Sequence, residues 1–191
     1  MDANYFVNPF IFLIDSLASL YILAVLLRLL LQWCGASFYN PASQFLLKIT
    51  HPPLRILRQW IPPLGRIDSS SLVLAMLLQT VTNVFILMLK WMSVKLGALV
   101  ILSTVDLLNL TLDIFIFSVF VQAILSVLPV DNYQSFSTLL TNLTAPLLNP
   151  LRKFIPEIAG FDLSPLAALL LLQLAKMILV PPLQQLATII S

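Results

Sequence analysis

The sequence predicts an all-α membrane protein: four transmembrane helices from two parallel two-helix repeats, each with a short amphipathic interfacial helix-loop. Three observations carry that prediction. Of the 191 residues, 60% are hydrophobic and only 9% charged, whereas a soluble domain gives about a quarter of its residues to charge. Apolar runs recur four times along the chain at the length a helix needs to cross hydrocarbon, about 20 residues. The chain also repeats itself. The stretch Pro52 to Pro62 returns as Pro146 to Pro156, 94 residues later (146 − 52), and the register holds without a gap: Asp68 falls on Asp162, Leu72 on Leu166, Gln79 on Gln173, and upstream Arg28 on Gln122. Residues 1–94 and 95–191 are read as the two copies.

The first span is expected from Pro9 to Trp33, with its apolar centre between Leu17 and Leu27. The N-terminus lacks the positive stretch of a signal peptide, so this run is expected to be retained. Arg28 sits near its end, beside Gln32 and Trp33. It either snorkels to the interface as an anchor or, as a buried cation, lines a pathway, since charge inside a membrane is costly.

After Trp33 the composition changes. Asn40-Pro41 reads as a helix start, with Asn at the cap and Pro in the first turn. It opens a short helix through Phe45, Leu46 and Ile49 that is expected to stop at Thr50-His51-Pro52, with a second short helix from Pro53. At about 100° per residue, Leu54, Ile56, Leu57, Trp60 and Ile61 share one arc, and Arg55, Arg58 and Gln59 occupy the other. In the second copy Leu148, Leu151, Phe154 and Ile155 oppose Asn149, Arg152 and Lys153. Such segments lie along the headgroups, a re-entrant insertion being the alternative. The run Ile61-Pro62-Pro63-Leu64-Gly65 then breaks the chain. Asp68 and Asp162 are expected to cap the next helices, where a carboxylate suits the free amides and positive end of the first turn.

The second span runs from Ser69 to about Leu89 and contains Gln79; the fourth runs from Leu163 to Val180 and contains Gln173 at the same depth. Lys176 is expected to snorkel from the fourth span, and Pro181-Pro182 to halt it, leaving a short apolar tail. Residues 92–108 read either as an N-terminal extension of the third span or as an interfacial segment. The third span itself is placed at Leu110 to Leu128. Asp106 and Asp113, seven residues apart, share a helical face.

Two spans per copy make both copies enter the membrane the same way round, as parallel repeats. The repeated loops hold Lys48, Arg55, Arg58, Arg66, Arg152 and Lys153, against Lys90 and Lys95 on the other side. That bias places the loops in the cytoplasm and both termini in the periplasm.

Catalytic chemistry finds no footing. One histidine, His51, and one cysteine, Cys34, leave no His/Cys metal set and no internal disulfide. No phosphate-cradling glycine loop is present, with glycine at only four positions. The net charge of +2, without a basic run interleaved with aromatics, gives no nucleic-acid footprint. The expectation is a protein that is not an enzyme and carries no cofactor, with the lipid bilayer as its first partner. Gln79 and Gln173, if brought together by pseudo-symmetry, act either as glue between helices, at about 1 kcal/mol, or as the lining of a small permeation path.

The pattern of loop Asn-Pro, then Pro-Leu-x-x, Leu or Ile, Arg, Lys or Arg, x, Ile or Leu, Pro-Pro, a Gly, Ile-Asp-Leu-Ser-Pro and a following Leu-Leu-Leu-Gln resembles the YggT (YlmG) family in its two-copy form, over nearly the whole chain. The first copy departs with Ser69-Ser70-Ser71 in place of Leu-Ser-Pro. The second has Pro156-Glu157 for Pro-Pro and Gln134-Ser135 for Asn-Pro. The resemblance implies a small multi-pass protein of the bacterial inner membrane associated with osmotic or extracytoplasmic stress. Chloroplast relatives are linked to assembly of a membrane haem protein and to nucleoid or thylakoid organisation. It favours a membrane scaffold or assembly factor that presents Arg55, Arg58, Trp60, Arg152, Lys153 and Phe154 to lipid or to a membrane-protein partner. The alternative is an oligomeric channel or transporter component for a small ion or osmolyte, the homo-oligomer being needed because four spans enclose little water.

Overall fold

The computed structural model describes residues 4–36, 40–62, 68–92, 94–127, 134–155 and 162–190. Among these residues six helices follow one another: α1 (Asn4–Trp33), α2 (Pro41–Leu57), α3 (Ser69–Leu89), α4 (Leu96–Val127), α5 (Gln134–Phe154) and α6 (Ser164–Ile190). There is no strand among the described residues. Four stretches are long and apolar enough to cross a membrane: Val7–Trp33, Ser69–Leu89, Leu96–Ser126 and Ser164–Ile190. Each repeat is thus a span, an amphipathic helix and a span. The proline and glycine break at 63–67, Arg66, Pro129 and Pro156-Glu157 lie outside the described residues.

Within each repeat the two long helices pack on each other, α1 on α3 and α4 on α6. The amphipathic helix rests on both, and α3 against α4 joins the halves. The duplication shows in what is buried. Val25 and Val119, Leu54 and Leu148, Leu74 and Ala168 are pairs 94 residues apart, and all six side chains are in the core. Leu72 and Leu166, or Leu77 and Leu171, are equally matched and exposed. Helices apolar all round bury one stripe in protein and leave the rest for lipid.

Two expectations are corrected. The halt at Pro52 does not occur: α2 is one helix through Pro52 and Pro53. Each proline lacks an N–H and so frees the carbonyl four residues back. The Ile49 carbonyl left by Pro53 accepts instead from Tyr21 Oη at 3.3 Å. Ser43, Thr50 and Leu54, spaced seven and four apart on one stripe, are all buried. A continuous buried stripe outweighs two backbone bonds worth about 1 kcal/mol each. In the second repeat α5 likewise runs through Pro146 and Pro150.

The halt at Pro181 fails as well, while of the two readings of residues 92–108 the N-terminal extension of the third span is the one seen; both outcomes share one cause. α6 continues to Ile190 and α4 starts at Leu96, so residues 96–108 are helix extension. The two extensions pack together. Ala98, Leu99 and Val105 are buried on one side, Val180 and Ala187 on the other. Ile190 Cγ2 lies 3.5 Å from where a Cβ on Gly97 would stand.

Helix ends follow capping chemistry. Asn40 accepts from the Ala42 amide at 3.0 Å. α1 closes in a Schellman turn, with Ala36 N–H on Leu31 O, Gly35 N–H on Gln32 O, and Gly35 at φ 68°. α3 closes the same way through Met92 and Leu87, but the left-handed position is held by Trp91 at φ 56°. Such a φ costs a non-glycine residue about 1 kcal/mol. The Trp91 side chain stands free of the protein, suited to an aromatic at a membrane interface.

Candidate functional site: repeated elbows and an intramembrane polar cavity

The amphipathic segments end in an elbow that an equivalent ion pair ties down in both repeats. Arg58 donates to Asp68 Oδ2, and Arg152 Nε donates to Asp162 Oδ2 at 2.9 Å. Both pairs span ten residues and lie 94 apart. Asp68 occupies the N-cap position of α3 but makes no side-chain bond to the first-turn amides. Its carboxylate serves Arg58 and the Ser71 hydroxyl (2.9 Å) instead. Asp162 does bond a first-turn amide, that of Ser164, at 2.9 Å. The bond from Ser70 Oγ to Ile61 O, 2.8 Å, fastens the turn to α3. Burial on its own pushes both carboxyls up, but Arg58 and Ser71 hold Asp68 below the usual carboxylate range, and Ser164 with Arg152 does the same for Asp162.

The apolar arc does not stay together. Leu54 and Leu148 are in the core, whereas Ile56 points out. Trp60 and Phe154, 94 residues apart, are each 83% exposed. Arg55 and Lys153 are exposed as well. Each elbow therefore leaves an aromatic, Trp60 or Phe154, and a basic residue, Arg55 or Lys153, exposed, while Arg58 and Arg152 are already engaged within the protein.

Arg28 is closed inside the protein. It is 3% exposed, and Nη1 donates to Thr50 Oγ1 at 2.8 Å, tying α1 to α2. Thr50 in turn donates to Leu46 O. Thr144, its equivalent, repeats that bond to Leu140 O, but Gln122 in place of Arg28 donates to Thr141 Oγ1, at 3.2 Å. Arg28 Nε and Asp68 Oδ1 are both closed off from solvent without a partner among the described residues.

The two glutamines do not meet. Gln173 is exposed. Gln79 is buried, and its Nε2 donates to Asp106 Oδ2 at 3.2 Å and to Asn83 Oδ1 at 3.3 Å. Asn83 Nδ2 adds bonds to Asp106 Oδ2 at 2.8 Å and to Ser103 Oγ at 3.3 Å. These groups border a cavity of about 250 Å³ lined by Asp15 and Ser19 of α1, Gln79 and Asn83 of α3, and Asp106, Asn109 and Asp113 of α4. Lys176 does not snorkel: Nζ donates to Asp113 Oδ1 at 2.5 Å and ties α6 to α4. Asn83, Ser103 and Asn109 were not singled out by the sequence. Their signal is spacing, since Gln79/Asn83 and Asp106/Asn109/Asp113 sit three or four residues apart inside apolar runs, each set on one helical face.

Comparison with known proteins bears on the duplication. The sequence model of the CCB3/YggT family matches residues 7–89 and again 101–183, two matches displaced by the same 94 residues (101 − 7 and 183 − 89). An uncharacterized protein of Pseudomonas aeruginosa is 42% identical over 174 residues, covering 89% of this chain and 87% of that protein. The uncharacterized protein YggT of Escherichia coli is 34% identical over 176 residues, covering 89% and 88%. An uncharacterized protein of Haemophilus influenzae is 31% identical over 160 residues, covering 83% and 84%. No solved structure matches the chain.

Proposed function

This chain belongs to the CCB3/YggT family, and on that premise we propose that it is a non-catalytic scaffold or assembly factor of the bacterial inner membrane, acting under osmotic stress. Its basic elbows face the cytoplasm and both termini face the periplasm, following the bias of positive residues. A membrane-protein partner, or a second copy of the chain, docks on the elbows. The observation that supports this reading most is the clamped elbow. A surface segment that only floated on headgroups would need no ion pair to fix its angle. Here the pair recurs in both repeats and leaves Trp60 and Phe154 equally exposed. Aromatic tips flanked by a cation are the residue types that dominate protein-binding surfaces.

Photo-crosslinkable residues at Trp60 and Phe154 in cells test this. Discrete protein adducts at both positions are expected, enriched after osmotic upshift. Adducts to lipid alone at both positions contradict a docking role.

A second reading, an oligomeric channel component, draws on the polar cavity between α1, α3 and α4, because polar groups at bilayer depth mark ion or solute paths. Purified protein in liposomes decides between the two: ion or osmolyte flux without any partner removes the pure scaffold.

A further inference from the structure

We propose that an apolar groove between the two repeats holds one acyl chain of an anionic phospholipid from the elbow-side leaflet. The groove has a volume of about 460 Å³ and is walled by α1 and α2 of the first repeat and by α4 and α5 of the second. Leu23, Leu27 and Leu31, which line it, occupy the end of α1 that leads into α2. It therefore lies in the half of the spans nearest the elbows. Two polar side chains are in its lining, and both are spent inside the protein. Asp113 is held by Lys176, and the Ser118 hydroxyl donates to Ile114 O at 2.7 Å. Water needs about two to four polar partners in such a space, and this lining offers too few.

The surroundings select the occupant. Phe117, on the span α4, lines the groove and is 65% exposed, so the groove is continuous with the surface that the spans turn to hydrocarbon. Phe45 of α2 and Phe136 of α5 are exposed on its other walls. A void beside hydrocarbon forfeits dispersion contacts that a chain of methylenes restores. A transmembrane helix is too thick for it. With side chains a helix is about 10 Å across, so 10 Å of its length fills roughly 800 Å³. Charge names the headgroup. Lys48 follows Phe45 by about one turn of α2; it is exposed and forms no ion pair among the described residues. An unpaired ammonium beside the chain's entry favours a phosphate with no cation of its own. The second repeat carries Leu139 and Asn142 where the first carries Phe45 and Lys48, 94 residues apart. One such site per chain follows.

The test uses the purified full chain in phosphatidylcholine nanodiscs doped with phosphatidylglycerol that carries a photoactivatable diazirine in one acyl chain. Adducts are mapped by peptide mass spectrometry. They should concentrate on the groove residues of α1, α4 and α5 and saturate near one per chain. Unlabelled phosphatidylglycerol should compete them away, and phosphatidylcholine should not. Ala42→Trp enlarges a side chain of the lining and should cut groove adducts about fivefold, since close-packed space is not shared. Adducts at Leu170 and Leu174, exposed on α6, should stay unchanged. Should that variant fail to fold, Ala42→Leu decides, with an expected loss of about twofold. Lys48→Gln should lower the preference for phosphatidylglycerol about fivefold. Adducts spread evenly over the lipid-facing helices, groove residues left unlabelled because a second copy covers them, equal competition by the two lipids, or undiminished groove labelling in the variant that folds would each overturn the proposal.

Discussion

Replacing Arg58 by Met should cost far more than the same change at Arg152, although the two arginines are sequence equivalents. The difference follows from burial on the acidic side. The Asp68 side chain is 2% exposed and Asp162 19%, while the arginines are similar at 40% and 46%. Removing Arg58 strands a buried carboxylate. Such losses run to about 3–5 kcal/mol, and access of water to Arg58 argues for the lower end, about 3 kcal/mol, or a factor of roughly 150 in the folding equilibrium. Removing Arg152 leaves Asp162 in contact with water and with the Ser164 amide, so the loss should stay below about 1 kcal/mol. Reversible unfolding of the purified protein in mixed micelles, followed by circular dichroism, reads both. In the double variant Arg58→Met/Asp68→Asn most of the loss should return, because no buried charge remains. Equal costs at Arg58 and Arg152, or no recovery in the double variant, would refute the reasoning.

Further outcomes follow from the same contacts. The folded-state pKa of Asp68 lies below its usual value of 3.8, so its ion pair stabilises the protein above that pH and is lost as the pH falls through the lowered value; unfolding titrations below about pH 4 should show a decline that Asp68→Asn flattens. Gln79→Leu removes a donor to Asp106 and should destabilise by about 1 kcal/mol, whereas Gln173→Leu on the exposed face should stay within about 0.5 kcal/mol; similar losses in the same micelle assay would contradict their different environments. Trp91→Gly should relieve the left-handed strain and gain up to about 1 kcal/mol in detergent, while Gly35→Ala should lose about as much; both are read as shifts in thermal midpoint.

Much of this architecture was legible in the sequence, and the misses have physical causes. Composition and the 94-residue register identify the spans, the amphipathic segments and the parallel halves, because both are one-dimensional properties of the chain. The prolines misled: their local rule predicts breaks at Pro52 and Pro181, but buried stripes and the packing of α4 on α6, with Gly97 against Ile190, lie beyond local propensity. The elbow ion pairs were written in the sequence as Arg and Asp ten residues apart, twice, yet each residue alone read as a surface cation or a cap. Wheel reasoning gave a face for Leu54, but Trp60 falls beyond the end of α2, where helical spacing no longer applies. The partner of Gln79 is Asp106, on the next helix across the repeat boundary. Symmetry pointed to Gln173 instead, since the first copy carries Phe12 where the second carries Asp106 (106 − 94).

The central claim, two parallel repeats presenting matched elbows to the cytoplasm, is most directly tested by cysteine labelling. In a Cys34→Ser background, Trp60→Cys and Phe154→Cys are treated with a membrane-impermeant maleimide in right-side-out and inside-out inner-membrane vesicles. Both positions should label only in inside-out vesicles. Labelling of the two positions from opposite sides would contradict the parallel duplication, and labelling of both only in right-side-out vesicles would contradict the cytoplasmic placement.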